Sequence, residues 1–426
     1  MTRQLRERSG TTDSVIGGLG AMLGAGVFIG LAPAAGLAGS WVLVGLAVAA
    51  LAAICTACSV TDLARAYPGI GGGYRYTREL LGRWPGRMVG GVGVLGRVAA
   101  VAAVAGCFGQ YVLPARPTAA ALVVVVLVVL AEALGLRLPP VAKRVLLAVV
   151  LLALALVAIA CFAVPAPVQV SGPLPAGLPG ANNPAELLPT AGLLFFAFVG
   201  GQPARAEAGR TASARSKVVV PMIILVALGS YLAVCTAVLR ELGPTRLALS
   251  PDPLRDALAA ANASALDPVL TAGVFAATIG VLFALVGGTR DTVRAMAEAG
   301  DLPGPLRGRT GIPVLGIGCV VAVLVLPPVA AIQLASTCLL FAAAFTNAAA
   351  RLLERHERAW PTRTACFGLG LSVLLVVAMP PVALAVAVLA LAVGAGIGPL
   401  CALTRRRTRR IPESESRPGV QHATSR

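Results

Sequence analysis

Apolar residues in this chain of 426 gather into about twelve blocks: 14–38, 41–66, 88–112, 119–136, 145–164, 187–204, 218–239, 269–289, 314–326, 332–350, 365–379 and 382–403. A helix needs roughly 20 residues to cross a hydrocarbon core about 30 Å thick, and these blocks cluster near that length. The expected fold is therefore an all-α integral membrane protein of about 12 transmembrane helices, which pack on one another instead of each burying a core of its own. Composition agrees, because 57% hydrophobic and 12% charged residues, with a mean hydropathy of +0.85, leave too little polar surface for a water-soluble globule. Soluble domains carry about 25% charged residues.

Charge placement sets the orientation. The net charge is +17, but the basic residues lie between the apolar blocks and not along one face, so nucleic acid is not the expected partner. With the N-terminus inside, 30 of the 35 Lys and Arg fall in cytoplasmic segments, whereas outside segments hold only Arg116, Arg240, Arg246 and Arg255. That bias places both termini in the cytoplasm of a multi-pass protein of the cell membrane. No cleavable leader is expected, because the first block runs into the second without a small-residue cleavage pattern. The nine Cys sit almost entirely in apolar stretches; Cys55 and Cys58 form a C-x-x-C without a second pair or a His beside it. They read as packing thiols, and no metal or cofactor is expected. His356 and His422 lie in a loop and in the tail, which excludes a buried histidine relay and, with no nucleophile and base set in view, enzyme chemistry.

The first block contains the most informative local pattern, Gly17-Gly-Leu-Gly-Ala-Met-Leu-Gly-Ala-Gly-Val-Phe-Ile-Gly. Glycines at 20, 24 and 26 each cost a helix about 1 kcal/mol relative to Ala. Close helix packing through Gly20-x-x-x-Gly24 is one compensation. A helix broken at Gly24-Ala25-Gly26, with backbone groups bared to a polar ligand, is the other. The sixth block decides for the second, since Phe195-Phe-Ala-Phe-Val-Gly-Gly-Gln-Pro is interrupted in turn at Gly200 and Gly201. Two breaks five spans apart fit an inverted repeat of five plus five helices. The segments are then 1–13, a cytoplasmic N-terminal segment; 14–164 and 165–350, the two repeats; 351–403, helices 11 and 12; and 404–426, a basic cytoplasmic tail held at the lipid surface. Free N–H groups opening the second half of helix one favour a carboxylate. Free carbonyls closing the first half of helix six favour an ammonium. A zwitterion satisfies both.

Four motifs occur in order: Gly20-Ala-Met-Leu-Gly-Ala-Gly-Val-Phe; Tyr67-Pro-Gly-Ile-Gly-Gly-Gly-Tyr-Arg-Tyr-Thr-Arg-Glu-Leu-Leu-Gly; Phe195-Phe-Ala-Phe-Val-Gly; and Arg290-Asp-Thr-Val-Arg-Ala-Met-Ala-Glu-Ala-Gly-Asp-Leu-Pro. Together they resemble the amino acid permeases of the amino acid-polyamine-organocation (APC) superfamily. The resemblance implies a LeuT-like fold, a secondary transporter working by alternating access, and amino acids as small-molecule substrates. It puts carboxylate-binding backbone at Ala25, Gly26 and Val27, and ammonium-binding carbonyls at Met22, Phe196 and Val199. Phe196 stands where relatives often carry an aromatic gate, and Tyr74 and Tyr76 are expected to pack at an inner gate.

The sequence departs from that family where coupling groups are expected. Gln202 replaces the usual acid beside the second break, Glu207 alone remains of an acidic pair, and span five holds no ionisable residue, Lys143 lying too near the cytoplasm. A proton or sodium ion as the coupling ion stays open, with Thr278 a candidate for sodium. Arg97 is the one basic side chain deep within a span, where such charges usually face a partner; Glu207 and Asp62 are its candidates, with snorkelling to the interface the alternative. The span-three wall Val98-Ala-Ala-Val-Ala-Ala-Val-Ala-Gly favours neutral amino acids. An amino acid/polyamine exchanger and a non-transporting substrate-sensing receptor are the alternatives. Pro253 is expected to start a short surface helix over the outer mouth.

Overall fold

The computed structural model describes residues 18–20, 22–23, 26–67, 69, 71–165, 180, 182–199, 216–308 and 311–409. Among the described residues every regular element is a helix. The first long ones are α1 (Gly26–Ala38), α2 (Val42–Ala66), the short α3 (Gly72–Leu80), α4 (Arg83–Val112), α5 (Pro117–Ala133) and α6 (Pro140–Ala163). There follow α7 (Leu187–Leu194), α8 (Phe196–Val199), α9 (Ser216–Leu249), α10 (Pro253–Ala260), α11 (Asp267–Glu298), α12 (Gly311–Val325), α13 (Pro328–Ala350), α14 (Thr362–Val377) and α15 (Pro381–Arg409). Proline is the first residue of α5, α6, α10, α13 and α15. Its fixed φ suits a first turn and its missing N–H removes a donor that would have been orphaned there.

Among the described residues six helical stretches are long and apolar enough to cross a membrane: Phe28–Ala66, Arg83–Val112, Pro140–Ala163, Val220–Leu249, Ser264–Glu298 and Pro328–Ala350. The pair Thr362–Val377 and Pro381–Gly396, bent by 120°, makes a seventh if it is one span. Pro117–Ala133, Pro184–Phe198 and Gly311–Val325 are apolar but shorter. Their outward faces are greasy: Val314, Ile317, Val321 and Leu324 on α12, and Val123, Val126, Leu127 and Leu130 on α5, are all exposed. Contiguous apolar surface of that kind suits lipid and would be a liability in water. The chain is a multi-pass membrane protein.

Helix α4 is the central post, packed by α5, α11, α13 and α15. A Cβ on Gly91 would lie 3.0 Å from Gly394 Cα, so the backbones of α4 and α15 touch where neither has a side chain. Such small-residue contacts drive helix association in lipid, where burying apolar surface gains little. A second group gathers α1 against α7, α8 and α9, with α2 beside α7 and α9. Helix α9 runs well past the expected end at residue 239 and bends at Gly243, whose φ of 69° only glycine adopts readily, just before Pro244. Pro253 does open a short helix, α10, which packs on α1, α6, α9 and α11.

Candidate functional site

Residues 22–23 are helical, and α1 then starts at Gly26. Helix α7 ends at Leu194, and Phe195 separates it from α8. The Phe198 N–H bonds the Phe195 carbonyl at 3.1 Å, a tightened i to i+3 turn. Ser336 Oγ on α13 donates to Leu193 O at 3.0 Å, occupying a carbonyl near the end of α7. These two chain segments meet. A Cβ on Gly26 would lie 2.3 Å from Ala197 Cβ and 2.9 Å from Ala197 Cα, so only glycine fits there without displacing α8.

One side chain joins the two segments. Tyr231 on α9 is fully buried, and its hydroxyl bonds Met22 O and, at 3.1 Å, Ala197 O. Gly26 lies against the same oxygen, and the phenol ring meets Phe198 edge-on with centroids 5.4 Å apart. Phe198, Phe196 and Phe195 are all buried beside it. A buried tyrosine needs a partner for its hydroxyl, and here the partners are one main-chain carbonyl of each segment.

The structure thus brings together Met22, Gly26 and the segment holding Phe196 and Val199. The helix-six carbonyl that shares a donor with Met22 belongs to Ala197. Val27 is in α1 and Val199 closes α8, whereas Gly24, Ala25, Gly200, Gly201, Gln202 and Glu207 lie outside the described residues. Thr278 is buried on α11.

Arg97 sits halfway along α4, with Nη1 donating to Thr292 Oγ1 at 3.0 Å on α11. Its guanidinium passes the bare faces of Gly93 and Gly288. Asp62, expected as a partner, instead accepts the Ala359 and Trp360 amides at 2.9 and 3.2 Å, capping the connection into α14. The fixed donors of that connection satisfy the buried carboxylate in place of Arg97.

Two polar clusters flank the middle of the bundle. At the arginine-rich end, the 2% exposed Asp301 accepts from Tyr74 Oη at 2.6 Å, Arg78 Nε at 3.1 Å and Arg87 Nε at 2.8 Å. Burial, then the bond to Asp301, pushes the Tyr74 phenol well above its ordinary range. Tyr76 packs with Leu63, Ala349, Leu353 and Ala365, and burial pushes its phenol up to about 12. At the opposite end, Arg255 on α10 bonds Asp267 Oδ1 at 2.8 Å, Asp252 Oδ2 at 3.0 Å and Tyr111 O at 2.9 Å. Burial raises the Asp252 carboxyl, with Arg255 opposing the shift. Tyr111 also meets Phe28 of α1 edge-on at 6.2 Å, so the cluster reaches the first helix.

The described residues thus form a helical bundle with lipid-suited faces, in which two chain segments meet at buried main-chain carbonyls. The amino acid permease family profile matches residues 13–353, and the chain belongs to that family. Uncharacterized transporters of Mycobacterium tuberculosis and Mycobacterium bovis are 36% identical to it over 318 residues, covering 70% of this chain and 68% of theirs. A crystal structure of an Eremococcus coleocola manganese transporter mutant shares the fold, with a TM-score of 0.56 and 13% identity over 93% of this chain and 95% of that one. Family and relatives mark a transporter of small molecules and not an enzyme.

Proposed function

We propose that the protein is a secondary transporter that carries neutral amino acids across the cytoplasmic membrane by alternating access. The reading adopts twelve transmembrane helices in a LeuT-like 5+5 inverted repeat, over 14–164 and 165–350, with helices one and six discontinuous, helices 11 and 12 outside the repeats, and both termini cytoplasmic. The observation that carries it is the meeting of Met22, Gly26 and Ala197 around one buried hydroxyl, since these backbone poles suit a small zwitterion. Ala25, Gly26 and Val27 take the carboxylate, and Met22 with Phe196, Ala197 and Val199 the ammonium. Buried Ala99, Ala100, Ala102 and Ala103 on α4 support a small apolar side chain on the substrate.

Gly26 and Ala197 in contact leave no room for a substrate between them, so the segments part to admit one. The Arg255 cluster holds the outer side, and the Asp301 cluster and Arg97 the inner side. Thermal unfolding of the purified protein against the twenty L-amino acids tests the substrate class. Stabilisation by neutral amino acids is expected, and stabilisation only by arginine, lysine or diamines would overturn it in favour of a polyamine or cationic carrier.

A further inference from the structure

Tyr231 lies on a helix that no sequence motif connects with the substrate, yet its hydroxyl stands where the proposed substrate's charged ends belong. As a donor it serves Met22 O and Ala197 O. Gly26 lies against the same oxygen, its Cβ direction ending 2.8 Å from Tyr231 Oη. One phenol oxygen therefore copies in miniature what an ammonium would do in that cradle, sharing its hydrogen between a carbonyl of the first segment, Met22 O, and one of α8, Ala197 O. The cradle is also closed around it, since Gly26 has no space for even a methyl group, with Tyr231 Oη 2.8 Å and Ala197 Cβ 2.3 Å from where the Cβ would be.

We infer that Tyr231 is an internal stand-in for the substrate: its hydroxyl satisfies the backbone poles of the empty carrier, and an amino acid binds by displacing it. The inference rests on the proposed amino acid function and adds a residue that sets affinity. Buried carbonyls without a donor are costly, so the stand-in keeps the empty carrier closed and stable. The same bonds compete with the substrate, lowering apparent affinity by the fraction of carriers in which the hydroxyl holds the cradle. A structural brace and a substrate ligand predict otherwise: loss of a brace leaves affinity unchanged or weaker, and loss of a ligand weakens it.

The test is Tyr231→Phe in the purified full chain, titrated with L-alanine and L-leucine by calorimetry and followed in parallel by thermal unfolding. The expected result is tighter binding, by about fivefold or more, equivalent to roughly 1 kcal/mol. The empty variant melts lower than the empty wild type, and the saturated proteins melt closer together than the empty ones. Unchanged or weaker binding in the variant, with the wild type binding normally, overturns the inference and leaves the amino acid function standing. If the wild type binds neither these nor any other of the twenty L-amino acids, the function itself fails and takes the inference with it. Should Tyr231→Phe fail to fold, wild-type protein labelled with 3-fluorotyrosine is titrated with the same two amino acids. The chain has five tyrosines; a fluorine resonance from the tyrosine whose ring contacts Phe198 shifts on binding if the hydroxyl is displaced, and no shift at saturation overturns the proposal.

Discussion

Gly26→Ala adds a single methyl group, and the geometry fixes the sign of its effect. Carbon atoms rest about 3.5–4.0 Å apart in van der Waals contact, but the new Cβ would sit 2.3 Å from Ala197 Cβ and 2.9 Å from Ala197 Cα. Helices α1 and α8 must separate by more than about 1 Å, a strain comparable to overpacked cores, which lose about 1–3 kcal/mol. The same Cβ would lie 2.8 Å from Tyr231 Oη and disturb the bonds to Met22 and Ala197, worth about 0.5–1.5 kcal/mol each. Opposing this, alanine gains at most about 1 kcal/mol of helix propensity, and less at a first turn. The balance is a loss of about 2 kcal/mol, dominated by the clash. Thermal unfolding in detergent and uptake into vesicles measure it, with both expected to fall. A variant that melts at or above the wild-type temperature and transports normally would refute the close meeting of the two segments.

Other perturbations test the flanking clusters. Asp301→Asn strips the acceptor charge from Tyr74, Arg78 and Arg87 and is expected to destabilise the protein by roughly 2–3 kcal/mol; an unchanged melting temperature would mean the cluster is idle. Arg97→Gln removes a charge whose bonded partner is Thr292; its expected effect is altered exchange rate and altered accessibility of inner-side cysteine probes, and no change in either would remove it from the inner gate. The Tyr76 phenol stays protonated in the folded state up to about 12 while its unfolded value is 10.0. Above pH 10 the unfolded chain releases that proton first, so stability falls as pH rises through this window. Tyr76→Phe flattens that fall in alkaline melting curves. Asp252, raised by burial, stabilises in the same sense at acid pH: its contribution is lost as pH rises past the ordinary carboxylate range, and Asp252→Asn removes that slope.

The helical architecture was readable because apolar length and punctuating prolines act locally: Pro253 opens α10 where expected, and the blocks at 187–204 and 332–350 begin at or near observed helices. The bend at Gly243 was not, because the Gly-Pro pair followed a charged Arg-Glu step that reads as a loop. Gly26 drew notice because mid-membrane glycines need compensation, and Met22 through the family resemblance; the structure sets both beside the Tyr231 hydroxyl. Tyr231 was missed because Ser-Tyr-Leu within an apolar span looks like any core aromatic. Its position, a polar-tipped ring halfway through a crossing helix, was the available signal. Of the two partners expected for Arg97, Glu207 lies outside the described residues and Asp62 is bonded elsewhere, because spacing along the chain says nothing about which helix lies opposite.

Carriage itself is tested most directly by counterflow. Proteoliposomes loaded with unlabelled L-alanine or L-leucine, diluted into the labelled amino acid with and without a pH gradient, are predicted to accumulate label transiently above equilibrium, as a carrier with one site alternately facing each side requires. Empty liposomes show no such overshoot. Reconstituted protein that binds these amino acids yet leaves the label at the level of empty liposomes under every gradient would contradict transport and indicate a sensor.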